Sequence, residues 1–186
     1  LGHSFGGTLP LAAEAASPGL YRQIVLADPV DPPTPEMLAQ MDWGERPPLA
    51  ELARRRRNIW PDREEARAQL GSKPLFATWT ERARELYFME AIREREDGQV
   101  ELKCPGLVEA LVFQASTSLD LFDIVSKVGA PSLFLWAKNG NSPRVAYEEL
   151  CMKMGEARIV DADAGHLIPM EDPDWVADQV LGFCVS

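Results

Sequence analysis

The chain has 186 residues, 46% apolar and 26% charged, a balance that suits one globular domain with room for an inserted subdomain. Its 29 acidic against 19 basic residues leave a formal charge of -10, which argues against a nucleic-acid or anionic-membrane partner. The three cysteines (Cys104, Cys151 and Cys184) are widely spaced without a CxxC pair, and no apolar run approaches the roughly 18 residues of a membrane span. A disulfide framework, a zinc site and a transmembrane helix are therefore not expected, and a reducing, cytoplasmic setting is.

Gly2 to Ala16 opens with glycines and runs into LPLAAEAA, a helical stretch interrupted by Pro10 and closed by Ser17-Pro18-Gly19. Gln23–Asp28 (QIVLAD) is a short apolar run of strand formers that Asp28-Pro29 ends. A helix followed by a buried strand reads as half of a βαβ unit. From Pro29 to about Gly129 the character changes. Prolines cluster at 29, 32, 33, 35, 47 and 48, and charged helical patterns follow over 49–58, 63–70 and 81–95, punctuated by Asp97-Gly98. Pro105 opens another helix through Ala115. The region is too long for a loop and reads as an inserted helical subdomain, 29–128. Strand–helix alternation resumes with strand 131–137 (PSLFLWA), helix 143–154, strand 157–161 and a loop over 162–169. Asp172-Pro173 then caps a last helix that runs to about Cys184.

Gly2-His3-Ser4-Phe5-Gly6 fits the G-x-S-x-G nucleophile elbow, a sharp strand-to-helix turn that exposes the serine hydroxyl. Side chains at the two glycine positions are expected to collide with the neighbouring strand and helix. The turn sets Ser4 at a helix N-terminus, where the Phe5 backbone N–H can donate to a developing oxyanion. The plain alternative is a glycine-rich turn. Only two histidines exist, His3 and His166. His3 lies within the elbow, which leaves His166, behind Gly165 after the last strand, as the general base. A packing histidine in a surface loop is the competing reading.

GHSFGG, IVLAD, PSLFLW and AGHLIPMEDP, in this order and spacing, resemble the α/β-hydrolase superfamily, over residues 1–28 and about 125–186. The resemblance implies a three-layer α/β sheet formed by 1–28 and 129–186, with 29–128 as a helical cap and the early strands upstream of Leu1. The second oxyanion donor is then expected upstream as well, and 23–28 is expected to form an unpaired sheet edge. Most members place the triad acid after the seventh strand, but that loop here reads Lys138-Asn139-Gly140-Asn141-Ser142-Pro143, without a carboxylate. The G-N-S-P segment is similar to a branch of small esterases whose acid follows the sixth strand, which makes it Asp28. Asp28 is also the acidic residue that ends a core strand between Ser4 and the histidine strand. Asp161 and Asp163 stand as alternatives, while Asp120 and Asp123 read as solvent-facing. Ser142 is expected to steady Asp28 or His166.

The implied activity is hydrolysis of a small-molecule ester, thioester or lactone through an acyl-serine, without metal or organic cofactor. A ligand-binding receptor on the same scaffold, or an inactive remnant, is the alternative. The basic run Arg54–Arg57, set among Glu51, Asp62, Glu64 and Glu65, reads as a solvated helix face. Trp43, Trp60 and Trp79 in the insertion read as packing residues, or as walls of an acyl pocket.

Overall fold

The computed structural model describes residues 1–30, 48–116, 119, 121–140 and 142–185. In chain order, strand β1 (Gly2–His3) leads through Ser4 into helix α1 (Phe5–Ala16), and β2 (Ile24–Ala27) follows. The intervening elements are α2 (Pro48–Arg55), β3 (Ile59–Trp60), α3 (Arg63–Gly71), α4 (Glu81–Glu90), β4 (Ile92–Glu94), β5 (Val100–Leu102) and α5 (Gly106–Ser116). The chain then continues with α6 (Leu121–Ile124), β6 (Ser132–Asn139), α7 (Arg144–Lys153), β7 (Ala157–Gly165), α8 (Ile168–Glu171) and α9 (Pro173–Cys184). Two compact units result, 1–39 with 119–186, and 40–118.

In the first unit, β1, β2, β6 and β7 form a sheet in that order, every pairing parallel. Alternate side chains of each strand point to opposite faces, so the sheet supports two cores. Ile24, Leu26 and Phe134 pack with Leu11 of α1, Leu121 of α6, and Tyr147 and Leu150 of α7. Val25, Ala27, Leu133 and Leu135 pack with Ile168 of α8 and with Val176 and Phe183 of α9. Helices thus cover both faces, which makes the unit three-layered. Strand β2, expected from sequence as an exposed edge, is instead flanked by β1 and β6.

Two boundaries differ from those read in the sequence. Strand β7 continues to Gly165 rather than ending at Asp161. Asp161-Ala162-Asp163-Ala164 is itself a period-two pattern, with both alanines buried and both aspartates exposed. The first unit also resumes at Leu119 rather than after 128. Leu121, Val125 and Val128 are buried in its core cluster, an apolar spacing hidden among neighbouring charges.

The second unit is mostly helical but carries a three-stranded antiparallel sheet, β3-β5-β4. The helix expected over 81–95 stops at Glu90, and Asp97-Gly98 turns a hairpin between β4 and β5, with Gly98 at a φ of 81°. Arg55, Arg56 and Arg57 pair with Glu51, Glu109 and Glu65, and Arg54 donates to Gln114. The charges of Arg55, Arg56 and Arg57 are thus locally balanced by carboxylates. Trp60 and Trp79 are buried in packing contacts, and Trp43 lies outside the described residues. Among the described residues no helix is long and apolar enough to cross a membrane.

Candidate active site

The site is built at the carboxyl ends of β1, β2 and β7. Parallel pairing sets Gly2 beside Leu26 and His3 beside Ala27, so Ser4 and Asp28 leave adjacent strands at one edge of the sheet. The Ser4 N–H donates to the Ala27 carbonyl at 3.1 Å, and the Asp28 N–H to the Leu135 carbonyl at 2.8 Å. Both residues have left-handed backbones, with φ of 53° at Ser4 and 41° at Asp28. Left-handed non-glycine residues are strained, and such strain concentrates at functional sites.

The tightness of the turn explains part of the glycine pattern. A β-carbon on Gly2 would stand 2.0 Å from the Gly6 carbonyl oxygen, and one on Gly7 would stand 3.1 Å from the Gly2 oxygen. Gly6 faces open space, contrary to the steric role expected for the second glycine of the motif. The close approach is between Gly2 and the 6–7 backbone.

Ser4 immediately precedes α1 and caps it with no side-chain hydrogen bond, so its hydroxyl is free to turn elsewhere. Ser4 Oγ lies 3.0 Å from His166 Nε2, and His166 Nδ1 lies 2.6 Å from Asp28 Oδ2. The chain of contacts joins residues expected from sequence to act together. With a carboxylate at Nδ1, the imidazole carries its proton there and offers the Nε2 lone pair to the serine O–H. Phe5 supplies the first amide of α1, one of the N–H groups at a helix start that lack an intrahelical partner.

Asp28 is 1% exposed and well supported. Its Oδ1 accepts the Ala137 N–H at 3.2 Å and the Tyr147 hydroxyl at 3.3 Å. The single Tyr147 proton is shared between Oδ1 and the Pro29 carbonyl, the nearer acceptor at 2.7 Å. Ser142 does not join this group among the described residues: its carbonyl accepts the Trp136 indole N–H at 2.9 Å. Asp161 pairs with Arg144 at 2.9 Å on the surface, and Asp163 is exposed, so neither stands at His166. Asp120 lies outside the described residues.

Three contributors were not assigned a role from sequence. Tyr147 reaches Asp28 from α7, across 119 residues, and no local pattern announces it. Glu171 accepts the Gly165 N–H at 2.8 Å and braces the backbone just before His166. It stands within the AGHLIPMEDP segment, which was its available signal. His3 donates from Nε2 to the His166 carbonyl oxygen at 2.8 Å. Burial pushes the His3 pKa below the ordinary 6.5, only partly opposed by that hydrogen bond. Among the described residues no cluster of three His, Cys, Asp or Glu side chains is placed to hold a metal ion.

The family model described as "Alpha/beta hydrolase family" matches residues 1–179. The abhydrolase domain-containing protein AKT2 of Alternaria alternata is 28% identical, over 96% of this chain and 79% of its own length. The peroxisomal alpha-beta-hydrolase Lpx1 of Saccharomyces cerevisiae superposes with a TM-score of 0.77 at 19% identity, covering 98% of this chain. The esterase Rv0045c of Mycobacterium tuberculosis gives a TM-score of 0.67 at 18% identity, covering 100% of this chain. The chain spans 51% of the Lpx1 structure and 59% of the esterase structure.

Proposed function

The chain belongs to the alpha/beta hydrolase family, and from that premise we propose that it is the serine-nucleophile part of a carboxylic ester hydrolase. The observation that carries this reading is the hydrogen-bonded run from Ser4 Oγ through His166 to Asp28, at 3.0 and 2.6 Å. Each residue then has a role that its surroundings suit. His166 Nε2 takes the proton from Ser4 Oγ as the oxygen attacks the substrate carbonyl carbon. The tetrahedral oxyanion receives the Phe5 N–H and the positive end of α1. The imidazolium returns its proton to the leaving alkoxide as the ester C–O bond breaks, which leaves an acyl-serine. Water, deprotonated by the same Nε2, then attacks the acyl carbon and restores Ser4.

Asp28 keeps the proton of His166 on Nδ1 and balances the imidazolium charge without itself becoming protonated. Its burial makes that interaction stronger than it would be in water, and the donors at Oδ1 offset the cost of burying a carboxylate. Thioesters and lactones carry the same electrophilic carbonyl and fall within the proposed class, alongside simple esters. The substrate is a small molecule, and water is the second reactant.

Fluorophosphonate labelling of the full-length protein tests the assignment. A stoichiometric adduct on Ser4 that is lost in Ser4→Ala, with loss of ester turnover, is the expected result. Unchanged labelling in Ser4→Ala ends it.

A further inference from the structure

We propose that His3 is a positioning residue, whose Nε2–H holds the backbone carbonyl of His166 and so fixes the general base against the nucleophile. The inference rests on the roles given above to Ser4 and His166. Two adjacent residues of the elbow grip one histidine at separate points. Ser4 Oγ meets the His166 ring at 3.0 Å, and His3 Nε2 meets the His166 backbone oxygen at 2.8 Å. The rings of His3 and His166 lie 5.0 Å apart, inclined at 45°. His166 itself follows the end of β7, so its ring position depends on how its backbone is held.

A carbonyl oxygen only accepts hydrogen bonds, so His3 must carry its proton on Nε2. Burial favours the neutral ring, which suits this task in a second way. When His166 takes the serine proton it becomes cationic, and a charged His3 at 5.0 Å would oppose that step. A neutral His3 supplies a donor without a charge. The motif leaves the position before the serine open, so nothing in the elbow's own geometry asks for histidine there. The distant carbonyl of His166 does.

The test is ester turnover by the full-length protein, with p-nitrophenyl acetate as the probe, in His3→Leu and His3→Gln. Leucine keeps bulk and removes the donor, whereas a glutamine amide reaches about as far as Nε2. His3→Leu is expected to lower kcat by about 10- to 100-fold with KM little changed, as misplacement of a catalytic group does. His3→Gln is expected to recover most of that loss, to within about fivefold of wild type. Should His3→Leu fail to fold, His3→Asn replaces it, polar but too short to reach the carbonyl, with the same loss expected. Wild-type kcat in the donor-free variant, or an equal loss in His3→Gln, overturns the proposal. Absence of Ser4-dependent turnover in the wild-type protein instead overturns the hydrolase reading beneath it.

Discussion

Gly140 stands so close to Asp28 that a β-carbon on it would lie 2.9 Å from Oδ2, and equally close to the Ala137 β-carbon. Oδ2 is the oxygen that meets His166. Neither neighbour can retreat easily, since Ala137 is in β6 and the carboxylate is 1% exposed. Gly140→Ala is therefore expected to push the carboxylate off His166 and cut kcat by about 10- to 100-fold, measured as ester turnover. Gly129→Ala, at a position open to space, serves as the control. Equal activity in the two variants would show that the carboxylate yields without consequence.

Asp28→Asn is expected to reduce turnover by about 10⁴-fold with the fold retained, in line with acid-to-amide changes in other triads. The amide oxygen can still accept the Ala137 N–H. Its NH₂ would then face His166 Nδ1, drive the ring proton to Nε2 and leave no lone pair for Ser4. Asp161→Asn and Asp163→Asn change only exposed carboxylates and should stay near wild type. An Asp28→Asn protein that keeps more than a tenth of wild-type turnover would move the role elsewhere.

Tyr147→Phe removes a buried hydroxyl and strands the Pro29 carbonyl it serves at 2.7 Å. An unsatisfied buried acceptor costs about 1–3 kcal/mol. For a chain of this size that corresponds to a fall in Tm of about 2–4 °C per kcal/mol, read from a thermal melt. Turnover should drop too, though less than in Asp28→Asn, because Ala137 still supports Oδ1. A melting point unchanged by the substitution would mean that water or a shift replaces the bond.

Half-buried His3 carries a pH signature of a stated sign. Its folded pKa lies below the ordinary 6.5, because burial disfavours the charged ring and His166 adds a smaller push, with Asp28 and the hydrogen bond opposing. The unfolded chain therefore binds more protons as pH falls below about 6.5. The contribution is complete above that value and is lost as pH drops towards the folded pKa. Between pH 7.5 and 5, wild-type Tm should fall further than that of His3→Gln. Parallel curves for the two proteins would contradict this.

In the second unit, local pattern placed the helices but missed a sheet. Arg93, Glu94, Arg95 and Glu96 continue the charged composition of α4, so they read as more helix. What makes β4 a strand is its antiparallel pairing with β5, where Ile92 and Leu102 face one another and are both buried. The Asp97-Gly98 turn was visible, but a turn alone does not say that the flanks pair. The end of β7 was missed for a related reason. Aspartates at alternate positions look like a loop until their intervening alanines are seen to line a core.

The direction and order of the core elements, a serine at a strand-to-helix turn and a single histidine outside that turn were legible in the residues alone. Those features reside in local spacing: glycines where a turn is tight, apolar runs of strand length, and a histidine count that leaves one candidate base. The likeness of the chain's strand-end and loop motifs pointed to Asp28 as the acid, ahead of Asp161 and Asp163. That Asp28 lies within hydrogen-bond reach of His166 is visible only in the tertiary structure, because it depends on the register of β2, β6 and β7 and on which side chains meet across the sheet edge. His166 and Asp28 are 138 residues apart, Tyr147 and Asp28 119, and His3 and His166 163. Contacts over such separations follow from the packing of whole elements, which no window of sequence contains. The donor from His3 and the space at Gly140 belong to the same class. Each is a property of two surfaces brought together, and neither surface carries it alone.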